Sequence, residues 1–475
     1  MRPYERERDA CGIGFVADAE GRSSRGIVDA ALDALCRVKH RGAVASDRFT
    51  GDGAGLLLPL PAWLVGHGRE DDRTGLAMLF LDPADPGPAR GAVEAACAGE
   101  GVEVTGFREV PVEPSALGAQ ARASAPCIEQ AILRCPLGGD NAALERRALL
   151  ARRRIECSAR RDGLGLYVAS LSFKTVVYKA LCAADALPNF YPDLADERYE
   201  AWFSLFHQRY ATNTLPTWER AQPFRLLAHN GEINTIRGNA AAMTAREGHL
   251  GGGLPDALLH PAVDEDTSDS GILDQTLELL LRGGRDLAHA AAMLVPPAWA
   301  NDPDPEVRHF YRWHECLTEP WDGPAAVVMA DDDRVVARLD RNGLRPLRVA
   351  LCDDGLVACS SEAGAVDTRG HGPVTRTRLG PGQALVVDPG AGGVIHDPEV
   401  KARLARRAPY GDWLRRHART RGTGEPLAEA GPNVLARQVA AGYTKEEFTV
   451  VIRPMAVDGA EPTSSMGDDT PQPPL

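Results

Sequence analysis

Four short stretches carry residue types and spacings that could do chemistry. In Asp9-Ala10-Cys11-Gly12-Ile13-Gly14-Phe15, a cysteine separates a charged leader from a strand-like apolar run. A thiol becomes a strong nucleophile only once its proton is removed. If residues 1–10 were cleaved off, the new α-amino group would lie on the same residue as the thiol. Its free pKa of about 7.7–8.0 suits it to take that proton, so no separate histidine is needed. Gly12 and Gly14 would leave such a thiol unobstructed. The competing reading is a cysteine packed in the core as a small hydrophobe.

The second stretch, His229-Asn230-Gly231-Glu232-Ile233-Asn234, ends the apolar run FRLLAH. Acyl transfer from an amide needs donors aimed at the developing oxyanion. An Asn side-chain amide beside a Gly N–H is a suitable pair, and glycine lets a substrate approach the backbone. An Asn-Gly hairpin turn is the alternative. The third, His207-Gln208-Arg209-Tyr210-Ala211-Thr212-Asn213, sets a guanidinium at the end of another apolar run. It suits a carboxylate held bidentately, or a structural loop. The fourth, Asp266-Thr267-Ser268-Asp269-Ser270, precedes a helix that should start near Gly271. A carboxylate there can cap that helix or bind a substrate ammonium. Together the four supply a nucleophile, an oxyanion pair, a carboxylate clamp and an ammonium clamp. Attack on the side-chain amide of free glutamine requires that set.

Two glycine-rich signals are weaker. Gly51-Asp52-Gly53-Ala54-Gly55 leads into a strand rather than a helix, so a phosphate-loop reading fails. The segment from Asp340 to Leu347 reads as an Asn-Gly hairpin supporting the site.

The elements that must position these residues follow from periodicity. Strands are expected at 12–17, 54–60, 76–81, 202–207 and 225–229, and helices at 26–39, 88–99, 237–247 and 270–282. In the first helix Ile27, Ala30, Leu32, Leu35 and Val38 should share the buried face. Residues 166–172 with 174–180, and 325–338, read as hairpins; a strand pair follows over 346–361. The basic run Arg146 to Arg161 reads as a helix with a solvated cationic face. Many antiparallel pairs beside helices favour an α+β layered fold over a parallel doubly wound one. Residues 418–432 and 458–475, rich in Pro, Gly, Ser and Asp, read as linker and unstructured end.

Composition bounds the function. The 475 residues carry a net charge of -13, which argues against a nucleic-acid partner. No run is apolar and long enough for a transmembrane helix, and the leader has no signal-peptide core, so a cytoplasmic protein without a membrane partner is expected. Ten irregularly spaced cysteines form no CxxC pair, which leaves no zinc-ribbon or iron–sulfur pattern.

The chain resembles the N-terminal class-II glutamine amidotransferase domain, of N-terminal-nucleophile hydrolase type, of the glutamate synthase large subunit. The resemblance rests on DACGIGF, VKHRGAVASDRFTGDGAGLLLPLP, FHQRYATNTLPTWERAQPFRLLAHNGEINTIRGN, SDSGILDQTLELLL and SSMGDDTP, and covers nearly the whole chain. It implies a four-layer αββα sandwich over residues 11–430 and removal of leader 1–10 to expose Cys11. Residues 431–475 would be a linker and the truncated start of a central synthase region. It implies Arg209 as carboxylate ligand, Asp269 as ammonium ligand, and Asn230 with Gly231 as the oxyanion hole. Arg41 and Thr212 would hold supporting substrate-side roles. The expected activity is hydrolysis of L-glutamine to glutamate and ammonia, the latter passing to 2-oxoglutarate on a synthase partner. FMN and an iron–sulfur cluster would belong to that partner and no cofactor to this chain. An amidotransferase serving another acceptor, or a non-catalytic truncated regulator, are the alternatives.

Overall fold

The computed structural model describes residues 11–47, 49–66, 73–209, 215–250, 255, 258, 260–331, 333–419 and 433–459. Leader 1–10, Thr212 and most of the expected linker and tail lie outside them. Two compact units divide the chain, Met1–Arg415 and Arg416–Leu475. The described part of the second comprises the helices Val434–Ala440 and Arg453–Asp458, with a π-helical turn at Glu447–Ile452.

In the first unit the described strands are, in chain order, β1 (Gly12–Asp18), β2 (Ala54–Pro59), β3 (Thr74–Leu81), β4 (Glu103–Glu109), β5 (Cys127–Arg134), β6 (Leu166–Ser172), β7 (Thr175–Ala180) and β8 (Phe203–Gln208). They continue with β9 (Leu227–Gly231), β10 (Ala325–Ala330), β11 (Val335–Leu339), β12 (Arg348–Cys352), β13 (Leu356–Ser360), β14 (Val374–Arg378), β15 (Ala384–Asp388) and β16 (Gly393–His396). One sheet has the order β14-β12-β13-β1-β8-β2-β7, a second β16-β15-β11-β10-β9. The ladders of both are antiparallel.

The two sheets face each other through an apolar layer. Ile13, Phe15, Leu57, Val177 and Leu205 from the first meet Ala228, Ala326, Val328, Ala337 and Val387 from the second. Alternation sends the intervening residues outward. Val16, Leu56 and Phe206 pack under the helix Arg25–Arg37. Leu227, Val327, Met329 and Val386 pack under the helices Asp269–Arg282, Leu287–Leu294 and Pro305–Glu315. The layers are therefore helix, sheet, sheet, helix: the expected αββα sandwich. The buried stripe of the first helix is Ile27, Val28, Ala31, Ala34 and Leu35, with Val38 just beyond its end; Ala30 and Leu32 only flank it.

A third sheet, ordered β4-β5-β3-β6, was only partly foreseen. Its core joins Ala77, Leu79 and Leu133 to the helices Gly87–Gly99 and Asn141–Asp162 through Val93, Ala148 and Ile155.

Three expectations fail, each for a physical reason. Segments 166–172 and 174–180 are no hairpin: β6 joins the third sheet and β7 the first. Ser172 Oγ accepts from Lys174 N (3.0 Å) and Thr175 N (3.1 Å), and Glu145 Oε1 accepts from Phe173 N (2.7 Å), so those donors serve a bend between sheets. The Asp340–Gly343 turn is likewise a crossover, from β11 to β12 in the other sheet. Asp340 Oδ2 accepts from Asn342 N (2.8 Å) and Gly343 N (3.1 Å), closing an Asx turn.

The third failure is the solvated basic face. Arg152 is 2% and Arg153 5% exposed. Arg152 pairs with Glu156 at 2.5 Å and with Glu278, and Arg225 pairs with Asp274 at 3.1 Å. The network ties the third sheet's helix to Asp269–Arg282, the helix that begins at the candidate site. Breaking one member strands a buried charge, which costs about 3–5 kcal/mol. Arg152→Met is expected to lower the unfolding free energy measured in urea by that much, with a lower midpoint; the double change Arg152→Met with Glu278→Leu should recover part of the loss. A midpoint unchanged by Arg152→Met would show that the pair contributes nothing net.

Candidate active site

Cys11 stands at the head of β1, half-buried against the layer between the sheets. β1 runs antiparallel to β8 with Gly12 opposite Gln208 and Ile13 opposite His207. Continuing that register by one residue sets Cys11 across from Arg209. The other side of β8 pairs with β2, Ala54 opposite Gln208. The loop before β2 thereby reaches Arg209: Gly53 O accepts from Arg209 N (2.8 Å), and Asp52 O lies 3.4 Å from Nη1.

Arg209 is 5% exposed. Burial pulls its guanidinium below the usual arginine range; the charges of Cys11, Asp52 and Asp269 pull the other way, and Arg220 adds repulsion. Cys11 and Asp269 thus both lie within electrostatic reach of the Arg209 guanidinium. Arg41 pairs through Nη2 with Glu362 at 2.5 Å.

Asn230 and Gly231 are not a turn. They are the last residues of β9, opposite Ala326 and Ala325 of β10. β9 is the edge of its sheet. Ala325 exchanges both backbone groups with Asp340, donating to Oδ1 (3.1 Å) and accepting from N (2.9 Å). Antiparallel alternation then leaves Gly231 out of the β10 ladder, with its N–H toward the free edge. His229, of the same parity, follows the rule: its N–H leaves the ladder for Gln222 Oε1 (2.9 Å). Gly231 has φ +131°, and a Cβ there would stand 1.7 Å from Pro324 O. Asn230 is 2% exposed, and its Oδ1 has no hydrogen-bond partner among the described residues.

Asp269 opens the helix Asp269–Arg282 but does not cap it; Ser268 Oγ does, accepting from Gly271 N (3.2 Å). Asp269 Oδ2 instead accepts from Ile233 N (3.0 Å), two residues past Gly231, and Oδ1 accepts from Ser270 N (2.7 Å). Oδ1 also accepts from Ser270 Oγ (3.3 Å), whereas Oδ2 keeps a lone pair for a further donor. Gln222, absent from the sequence reading, links the same parts: its Nε2 donates to Ser270 Oγ (3.2 Å) while its Oε1 holds His229 N. It sits in the quoted run AQPFRLLAHN, but glutamine carries no periodic or charge signal of its own.

His207 is a second residue the sequence reading left without a role. Fully buried on β8, it donates from Nε2 across the sheets to His229 O (3.1 Å), which fixes the neutral tautomer. Burial pushes its pKa down to about 3. The unfolded chain takes up this proton near pH 6.5, the folded chain only near 3. Unfolded protein binds more protons across that window, so stability is full above pH 6.5 and is lost as pH falls. The urea midpoint is expected to drop from pH 7.5 to pH 5, and His207→Gln should flatten the dependence. An equal slope in both proteins would remove His207 from the account.

Residues 11–413 match the family of class-II glutamine amidotransferases, and residues 436–475 match the glutamate synthase central domain. Ferredoxin-dependent glutamate synthase 2 of Synechocystis sp. is 41% identical over 98% of this chain and 31% of its own length. The large chain of the NADPH glutamate synthase of Bacillus subtilis is 39% identical over 98% and 32%, and that of Azospirillum brasilense 38% over 98% and 32%. The chain thus spans about a third of the curated relatives it matches. Among solved structures, glutamine phosphoribosylpyrophosphate amidotransferase from B. subtilis aligns at 18% identity over 47% of this chain and 40% of its own, with a TM-score of 0.30.

Proposed function

The chain belongs to the class-II glutamine amidotransferases, and from that premise we propose that it is the glutaminase part of a glutamate synthase. The observation that carries this reading is the convergence of Cys11, Arg209, Asn230–Gly231 and Asp269 on one end of two facing sheets.

The chemistry follows from the positions. Arg209 binds the α-carboxylate of glutamine and Asp269 its α-ammonium, so the side-chain amide lies over Cys11. With residues 1–10 removed, the α-amino group of Cys11 takes the thiol proton. The thiolate attacks the amide carbon, and the oxyanion is met by the Asn230 side-chain amide and the Gly231 N–H. The ammonium formed on Cys11 returns its proton to the leaving nitrogen, ammonia departs, and water hydrolyses the thioester to release glutamate. Arg41, held by Glu362, and Thr212 serve the substrate side. Ammonia passes to a synthase polypeptide bearing FMN and an iron–sulfur cluster, where 2-oxoglutarate accepts it. The match of residues 436–475 to the glutamate synthase central domain supports that context.

The test combines intact mass with glutamate release from L-glutamine. A chain beginning at Cys11 that releases glutamate is expected. A chain beginning at Cys11 that binds glutamine but never releases glutamate would overturn the reading.

A further inference from the structure

The helix Arg25–Arg37 packs on the outer face of the seven-stranded sheet chiefly over β1 and β8, while β14 forms the sheet's edge. The register fixes what lies at that end. One row across the strands runs Gly14, Ser360, Arg348, Arg378; the next runs Val16, Ala358, Ala350, Arg376. Residues directly opposite in a ladder share a face. This end of the face is a groove of about 460 Å³, with Ala350, Ala358 and Val366 among its lining, the hydroxyls of Ser360 and Thr368 on its wall, and the three arginines over it.

The charges are unbalanced. Arg348 stands directly opposite Arg378, an arrangement that costs stability when nothing neutralises it. The nearby acids are committed elsewhere: Glu362 to Arg41, Asp367 to Arg369 and Arg37. Arg376 donates to Thr368 Oγ1 (2.7 Å), and none of the three arginines forms an ion pair with a described residue. Charge on an exposed edge strand can serve to block strand pairing. That accounts for Arg376 and Arg378 on edge strand β14; it does not account for Arg348 on interior strand β12.

We propose that this groove binds a small multiply charged anion, with two or more carboxylate or phosphate groups on a short apolar frame. Guanidinium forks suit both groups, and the volume suits a small ligand. Ser360 Oγ donates to Ile13 O (3.1 Å), two residues from Cys11, so the occupied groove adjoins the strand that carries the nucleophile. The proposal concerns a site apart from the glutamine site and stands without the glutaminase reading.

Isothermal titration of the full chain at constant ionic strength tests it, with citrate as the polycarboxylate probe and pyrophosphate as the phosphate probe. Saturable binding of one anion per chain is expected. The double variant Arg348→Gln with Arg378→Gln should weaken it at least about tenfold. Arg369→Gln, outside the groove, should leave it unchanged, and Arg376→Gln alone should weaken it to a smaller degree. Binding of one probe only identifies the anion class; binding of both supports the shared chemistry. Absence of saturable heat with both probes overturns the proposal, as does undiminished affinity in a double variant whose urea midpoint shows it folded.

Discussion

Replacing Cys11 with alanine is expected to abolish glutamate release from glutamine, lowering kcat by at least about 10⁴-fold, the scale seen when a nucleophile is removed from a unit that works together. The change itself is small. Cys11 is only half-buried, and alanine keeps its Cβ against the inter-sheet layer. The fold and glutamine affinity should therefore survive, the latter within a few-fold by titration, because Arg209 and Asp269 remain in place. A core cysteine would behave in the opposite way, with some stability lost and activity kept. Activity within about tenfold of wild type in the folded variant would sink the nucleophile assignment.

Asn230→Ala should come next in size, a fall in kcat of about 10²–10³-fold with KM nearly unchanged. The separation of the two constants carries the argument. An oxyanion donor acts on charge that exists only in the transition state, so its loss leaves ground-state binding alone. Were Asn230 a ligand of bound glutamine instead, KM would rise and kcat would hold.

Strand ends were easier to read in the sequence than the connections between strands. Cys11, Arg209 and Asn230 each end or begin an apolar run, and such runs became β1, β8 and β9. Burial on both faces made those strands visible as continuous hydrophobic segments. Connectivity was less visible. The bends at Ser172 and Asp340 pass between sheets because side chains capture the local backbone donors, and a short polar link between two apolar runs looks the same whether the strands pair or part. The strands β4 and β5 carry mixed polar and apolar residues without a long run, and the third sheet stayed hidden with them. Arg152 misled for another reason: its partner Glu278 lies on a helix 126 positions away, and a one-dimensional reading sees only the basic run. Gln222 and His207 were missed because each acts through the backbone of β9, a partner that leaves no mark on residue type.

The close passage of backbone at the end of β9 has a consequence for how this protein can change. Gly231 lies against Pro324 O, and Gly323, at φ +154°, would set a Cβ 2.0 Å from Glu232 O. Each glycine excludes a side chain at the other's strand, so a slip of register would drive a Cβ into a carbonyl. The Gly231 N–H is therefore placed by main chain on main chain, with no side chain between to shrink, swell or rotate. Drift in the surrounding core can alter packing and stability without moving that donor. Substitutions can accumulate throughout the sandwich under selection for folding alone, while these two glycines form a barrier that sequence change must leave standing.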